Sequence, residues 1–142
     1  MRARKTASFG RPYNYSGMVY AATPFPESVA RIVDALEHRI GFRPDNCLLN
    51  YYESGNSTMG YHSDSNDDLE PGAGVSIVSV GSPRTILFRA KREKEDERQL
   101  VLETGSLLYM SPEVQDDWQH SIPADPVAGS RISLTFRLLK CV

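Results

Sequence analysis

The chain has 142 residues, of which 40% are hydrophobic and 24% charged, with a formal net charge of −2. This length and apolar fraction fit one domain with one core, so we predict a single domain over residues 1–142. The apolar runs are far too short for a membrane helix, and none follows the first residues as in a signal peptide. We therefore expect a soluble intracellular monomer, cytoplasmic or nuclear, with no membrane partner.

Basic residues dominate the start of the chain. The first eleven positions contain no acidic residue and four basic ones, namely Arg2, Arg4, Lys5 and Arg11. We predict that residues 1–11 form a flexible basic arm. The arm could contact phosphate, but the rest of the chain is acidic, so net charge gives no global attraction to nucleic acid.

One helix is predicted after Pro24 and Pro26, and it ends at Gly41. Its apolar residues recur at helical spacing, as Val29, Ile32, Val33, Leu36 and Ile40.

The pattern after Gly41 is one of short β-type runs separated by turn residues. We predict strands at 47–52, 75–80, 85–89, 99–102, 106–110 and 131–138. The mixed-charge residues 91–98 are predicted to form an exposed hairpin loop. One helix followed by many short strands indicates a mainly β (α+β) sandwich or jelly roll.

Two histidines and a carboxylate form a candidate metal site. His62 and Asp64 are two residues apart in a run that we interpret as extended, so their side chains share a face, and His120 lies on a second predicted strand. This is the facial triad that holds non-heme Fe(II) and leaves positions open for co-substrate and oxygen. The alternative is a chance His-x-Asp with structural histidines, and these residues alone leave both interpretations open.

The C-terminal strand alternates apolar and polar residues. One face carries Ile132, Leu134 and Phe136, and the other carries Arg131, Ser133, Thr135 and Arg137. The polar face could lie in water, with both arginines solvated. If instead both faces are covered, the arginines point into a barrel and need carboxylates, which a dicarboxylate such as 2-oxoglutarate would supply. Asn50 and Tyr52 have the same parity on their own strand.

Six segments in this order resemble the AlkB family of Fe(II)/2-oxoglutarate dioxygenases. The segments are residues 50–55, 62–64, 76–81, 105–110, 118–123 and 131–137, and the similarity covers about residues 12 to 140. The resemblance implies a double-stranded β-helix (jelly roll) with the N-terminal helix packed on the outside.

The resemblance also implies cofactors and roles. Fe(II) would be ligated by His62, Asp64 and His120. The co-substrate 2-oxoglutarate would be bound by Asn50, Tyr52, Arg131, Ser133 and Arg137. With O2, such an enzyme removes N-alkyl groups from nucleic-acid bases and releases formaldehyde, succinate and CO2.

The substrate is the least defined part of the resemblance. Tyr13 and Tyr15 match a substrate lid whose aromatic ring stacks on a flipped base, so we expect single-stranded or damaged nucleic acid as partner. Ser65 and Asn66 stand where base-repairing members carry acidic residues, and Asp67 or Asp68, slightly later in the chain, could replace them. Candidate phosphate contacts are Arg84, Arg89, Lys91 and Arg92.

Two alternatives remain beside base demethylation. The first is the same iron chemistry acting on a small molecule or a protein side chain, which the acidic surface and the missing base-contact acid favour. The second is a non-catalytic jelly-roll binding module, in which the triad is structural or holds another divalent metal.

Overall fold

The computed structural model describes residues 5–12 and 21–141. In these ranges the chain forms nine strands and two helices. In chain order they are β1 (Lys5–Gly10), α1 (Glu27–Ile40), β2 (Asn46–Tyr52), β3 (Met59–His62), β4 (Val75–Gly81), β5 (Arg84–Ala90), β6 (Glu97–Leu102), β7 (Leu107–Met110), α2 (Pro112–Asp117), β8 (Trp118–Ile122) and β9 (Arg131–Arg137). Neither helix is long and apolar enough to cross a membrane.

The strands form two antiparallel sheets. The major sheet has five strands in the order β1-β2-β9-β4-β7, and the minor sheet has four in the order β3-β8-β5-β6. Apart from the neighbouring pairs β1–β2 and β5–β6, each strand is followed by a strand of the other sheet, so the chain crosses repeatedly between the two layers, as in a jelly roll. The predicted mainly β jelly-roll fold is confirmed.

Helix α1 covers the outer face of the major sheet. Its buried residues Val29, Val33 and Leu36 pack against Leu134 and Phe136 of β9. The helix ends at Gly41, whose positive φ of 83° lets its N–H donate to the carbonyl of Glu37. The helix therefore packs on the outside, as predicted.

A second core fills the space between the sheets. It contains Tyr52, Val75, Ile86, Phe88 and Ile122. Strand β9 is central in the major sheet, so one face lies under α1 and the other faces the minor sheet. Both faces are covered, and the interpretation of solvated arginines is wrong for this strand.

The predicted flexible arm is wrong for residues 5–10, which form β1 and pair with β2 over Lys5↔Tyr51 to Gly10↔Asn46. Lys5 is the single charged residue of this strand, and a lysine on an edge strand is compatible with a sheet because it discourages pairing with other chains. Arg11 is also anchored, since Nη1 lies 2.8 Å from Oδ2 of Asp45.

Two further elements differ from the prediction. Glu97 and Arg98 belong to strand β6, so the hairpin loop is shorter than residues 91–98. Helix α2 was not predicted, because six residues are too few to display a helical apolar period.

Candidate active site

The two histidines and the carboxylate of the predicted triad converge at one end of the minor sheet. His62 ends β3 and pairs in register with His120 of β8. The Nε2 atom of His62 lies 3.7 Å from Oδ1 of Asp64, and Nε2 of His120 lies 4.0 Å from Oδ2. One ligand atom from each residue lies within 4.8 Å of the others, which fits a single metal ion.

Both imidazoles are held in a state suited to a metal. Nδ1 of His62 lies 2.9 Å from the carbonyl oxygen of Gly60, and an Nδ1–H donated there leaves the Nε2 lone pair directed at the centre of the triad. His120 is buried, and its pKa is lowered to about 4, first by burial and then by the nearby His62 and Arg137, with Asp64 opposing the shift. His120 is therefore neutral at physiological pH, as a metal ligand must be.

The carboxylate of Asp64 lies between cationic and amide groups. Its Oδ1 is 3.5 Å from Nη2 of Arg137, and its side chain is 7% exposed. Gln115 of α2 also contacts Asp64, at both the backbone N–H and the carboxylate. The sequence analysis missed Gln115; its position five residues before His120 is the only signal that the sequence offers for it.

The five residues predicted to bind 2-oxoglutarate face the triad from the major sheet. A cavity of about 430 Å³, including its open mouth, separates the two sets. The sheet register explains the convergence, because Asn50 pairs with Ser133 and Tyr52 with Arg131. The lining of the cavity includes Asn50, Tyr52, Arg131, Ser133 and Arg137, together with all three triad residues.

The polar groups in this cavity fit a dicarboxylate. Arg131 is 2% exposed, and its Nη2 donates to Oγ of Ser79 at 2.9 Å. Its Nε and Nη1, like Oδ1 of Asn50, are buried without a hydrogen-bond partner in the part of the chain that the structure describes. Burial lowers the pKa of Arg131, and the neighbouring Tyr52 opposes that shift. Buried guanidinium N–H groups without partners are what a carboxylate satisfies.

Of the three predicted substrate residues, Asn66 lies in the described ranges, and it is not among the residues that line this cavity. Tyr13 and Tyr15 lie outside the described residues. Nδ2 of Asn66 donates to the carbonyl of Pro112 at 3.1 Å and to Oδ1 of Asp116 at 3.0 Å, so the side chain is directed at α2. Its role in substrate binding stays a prediction.

Three of the four candidate phosphate contacts are engaged within the protein. Arg84 is 1% exposed and donates to the carbonyls of Ser57 and Pro123 at 2.9 and 2.7 Å, so its assignment to phosphate is wrong. The guanidinium of Arg89 lies 3.9 Å from the centre of the Tyr61 ring. The third is Lys91, whose Nζ donates to the carbonyl of Gln115 at 3.0 Å.

Comparison with known proteins agrees with a site for Fe(II) and 2-oxoglutarate. The family model described as 2OG-Fe(II) oxygenase superfamily matches residues 1–137. The chain is 34% identical to mouse "DNA oxidative demethylase ALKBH2", covering 94% of this chain and 61% of that protein. It is 31% identical to human "Alpha-ketoglutarate-dependent dioxygenase alkB homolog 3", covering 94% of this chain and 51% of that protein. The chain thus spans about half to three fifths of these relatives.

A solved structure shares the fold. The structure of OsALKBH1 superposes with a TM-score of 0.68 at 20% identity, over 96% of this chain and 81% of that one. The matched family implies Fe(II), 2-oxoglutarate and O2, and the triad of His62, Asp64 and His120 fits the iron. The chain belongs to the 2OG-Fe(II) oxygenase superfamily, of which it is an AlkB-like member.

Proposed function

We propose that this protein is an Fe(II)/2-oxoglutarate-dependent dioxygenase that demethylates N-alkylated bases in nucleic acid. The observation that carries the proposal is one cavity with a metal triad on the minor sheet and two buried arginines on the major sheet. Relatives at 31–34% identity are named as a DNA oxidative demethylase and an alkB-type dioxygenase, which supports the substrate class.

His62, Asp64 and His120 would hold the iron, and Arg131 would bind the distal carboxylate of 2-oxoglutarate. Tyr52 would assist Arg131, while Asn50 and Arg137 would hold the end nearer the triad. When bound, Fe(II), 2-oxoglutarate and O2 supply an oxidation in which 2-oxoglutarate becomes succinate and CO2 while one oxygen atom enters a substrate C–H bond. On an N-methyl group the product is a hydroxymethyl amine, which releases formaldehyde.

Two features of the chain's own residues favour this chemistry. Burial keeps His120 neutral, so no proton has to leave before it binds a cation. The nitrogens of Arg131 without partners lie in a site sheltered from water, so a carboxylate there gains more from each charge-assisted hydrogen bond than it would in water. The cavity is therefore organised for both ligands before either binds.

A specific observation favours a second candidate, the same chemistry on a small molecule or a protein side chain. A nucleic-acid substrate needs phosphate contacts, yet Arg84 is buried, and Arg89 and Lys91 already contact protein groups. Arg92 and the basic residues of the first five positions would then have to supply these contacts, because Arg11 pairs with Asp45. The non-catalytic binding module is not favoured by any observation at the site.

The test is release of succinate and formaldehyde by the purified protein with Fe(II), 2-oxoglutarate, ascorbate and O2. Single-stranded oligonucleotides containing 1-methyladenine or 3-methylcytosine are compared with unmethylated oligonucleotides of the same sequence. We expect formaldehyde only with the methylated oligonucleotides, in equal amount to the repaired base. The variant Tyr15→Ala should lose this activity while keeping slow succinate release without substrate, because its predicted role is to stack on the base.

Succinate release that no methylated oligonucleotide stimulates would refute the nucleic-acid substrate and favour the second candidate. Absence of succinate with every substrate would refute the dioxygenase itself. Size-exclusion chromatography with light scattering tests the proposed monomer in the same preparation.

A further inference from the structure

Helix α2 packs beside the loop that contains Asp64. Strand β3 ends at His62, and its register with β8 shifts between Met59 and His62, so regular sheet pairing does not extend to Asp64. A metal ligand outside a strand needs other contacts to fix its direction.

Side-chain hydrogen bonds that residues near Asp64 donate to α2 and the residues beside it supply those contacts. Oγ of Ser63 donates to the carbonyl of Trp118 at 2.6 Å. Nδ2 of Asn66 donates to Pro112 and Asp116. The residues on either side of Asp64 are thus attached to the segment formed by α2 and the start of β8.

Gln115 makes the direct contact with Asp64. Its Oε1 accepts a hydrogen bond from the backbone N–H of Asp64 at 2.9 Å, and its Nε2 donates to Oδ2 of the same residue at 3.4 Å. A primary amide can do both at once because it carries a donor and an acceptor on one carbon. One side chain therefore restrains the backbone and the carboxylate of Asp64 together.

Gln115 is itself held in place. It is 2% exposed, its Nε2 lies 3.7 Å from Sδ of Met110, and its backbone carbonyl accepts from Nζ of Lys91. Helix α2 is also capped, since Oγ of Ser111 accepts from the N–H of Val114. A buried amide with this support has little rotational freedom, so it can determine where the carboxylate points.

We propose that Gln115 is a positioning residue for the metal, which sets the direction of the Asp64 carboxylate toward Nε2 of His62 and His120. This inference rests on the proposed iron site. Residues that hydrogen-bond a metal ligand typically contribute 10- to 100-fold to metal affinity, which is the effect expected here.

The experiment measures binding of Mn(II), as a redox-stable probe for Fe(II), from the EPR signal of free Mn(II). The decisive variant is Gln115→Met, which keeps the side-chain length and its packing near Met110 but removes both hydrogen bonds to Asp64. Gln119→Met is the matched control, because it makes the same change on β8 and removes the hydrogen bond that Oε1 of Gln119 accepts from Nε of Arg89, away from Asp64. Thermal unfolding of each metal-free variant reports whether the fold is intact.

We expect the Mn(II) dissociation constant to rise roughly 10- to 100-fold in Gln115→Met and to stay unchanged in Gln119→Met. If Gln115→Met does not fold, Gln115→Asn replaces it as the test of the proposal. The amide of asparagine is one methylene too short for both contacts with Asp64, so this variant should also bind Mn(II) more weakly. Wild-type affinity in the folded variant would overturn the role of Gln115.

The variant Asp64→Ala separates this result from failure of the iron site. If wild-type protein binds no Mn(II), or Asp64→Ala binds it as tightly as wild type, the proposed metal site is wrong and the role of Gln115 falls with it. If Asp64→Ala abolishes binding and Gln115→Met leaves it unchanged, only the role of Gln115 is refuted.

Discussion

Replacing Arg131 with methionine should strongly weaken co-substrate binding but leave the stability of the ligand-free protein almost unchanged. Two nitrogens of Arg131, Nε and Nη1, have no hydrogen-bond partner among the described residues, and Nη2 donates to Oγ of Ser79. Truncating one partner of a buried, hydrogen-bonded charge pair costs about 2–5 kcal/mol in binding. This corresponds to a roughly 30- to several-thousand-fold rise in the dissociation constant of 2-oxoglutarate.

Stability without ligand should behave differently. In the ligand-free protein Arg131 is a buried cation whose pKa is lowered by burial, so it contributes unfavourably to folding. Replacing buried charges by apolar side chains of similar volume is often neutral or stabilising by about 1–4 kcal/mol. Loss of the charge-assisted hydrogen bond to Ser79 offsets about 1.5–3 kcal/mol of that gain. We expect Tm of ligand-free Arg131→Met to stay close to that of wild type.

Thermal unfolding with Mn(II), with and without 2-oxoglutarate, measures both effects. Ligand at 100 times its dissociation constant stabilises wild type by about 2.7 kcal/mol, and the variant should show almost none of this at the same concentration. Arg31→Met is the control, because Arg31 lies exposed on α1, where it pairs with the exposed Glu27. A variant with lower Tm and an intact response to 2-oxoglutarate would refute the reasoning.

Further predictions concern the metal, the pH response, the core and the thiols. His62→Ala should abolish succinate release and Mn(II) binding; turnover independent of iron in this variant would contradict the triad. Because folding lowers the pKa of His120 from 6.5 to about 4, the unfolded chain binds more protons in this interval. The urea midpoint of metal-free protein should therefore fall as pH decreases from 6.5 to 4, and His120→Gln should reduce this slope. Leu36→Ala should lower the free energy of unfolding by about 2–5 kcal/mol in a urea titration, because Leu36 is buried between α1 and β9, and a cost below about 1 kcal/mol would argue against that packing. Burial raises the pKa of Cys47 to about 12 whereas Cys141 is exposed, so mass spectrometry after iodoacetamide treatment should find one modified thiol in native protein and two in urea; rapid native labelling of Cys47 would contradict its burial.

The co-substrate half of the cavity could be predicted because β9 is a regular strand. Alternation alone placed Arg131, Ser133 and Arg137 on one face, and the register with β2 then brought Asn50 and Tyr52 beside them. What alternation could not decide was whether that face was covered. That face is covered because β9 lies in the middle of the major sheet. The place of a strand in a sheet depends on long-range pairing, which alternation does not report.

For Arg84, an error of one residue in a predicted strand boundary changed the expected burial of the side chain. A strand predicted from residue 85 leaves Arg84 in the preceding turn, where a solvated cation is expected. The observed β5 begins at Arg84, which gives it the parity of Ile86 and Phe88 and places it in the interior. Strand ends depend on tertiary pairing more than on local sequence, so this difference could not be derived from residue types.

The directions of Asn66 and Gln115 could not be predicted for a related reason. Both depend on α2, whose six residues have no apolar repeat and whose location against the loop after β3 is a tertiary contact. The sequence places Asn66 two residues after Asp64, but that proximity does not fix its orientation once the strand has ended. Irregular backbone removes the periodicity on which such an inference depends.

The division of the cavity between the two sheets has a consequence for the motions of the whole molecule. The triad lies on or beside the minor sheet and the arginines on the major sheet, so a metal chelated by 2-oxoglutarate would connect the two layers noncovalently. Separation of the layers would then require release of the co-substrate, and the two sheets would open as one cooperative unit. Amide hydrogen exchange in β2, β9 and β8 should slow together when both ligands are added, although these strands belong to different sheets.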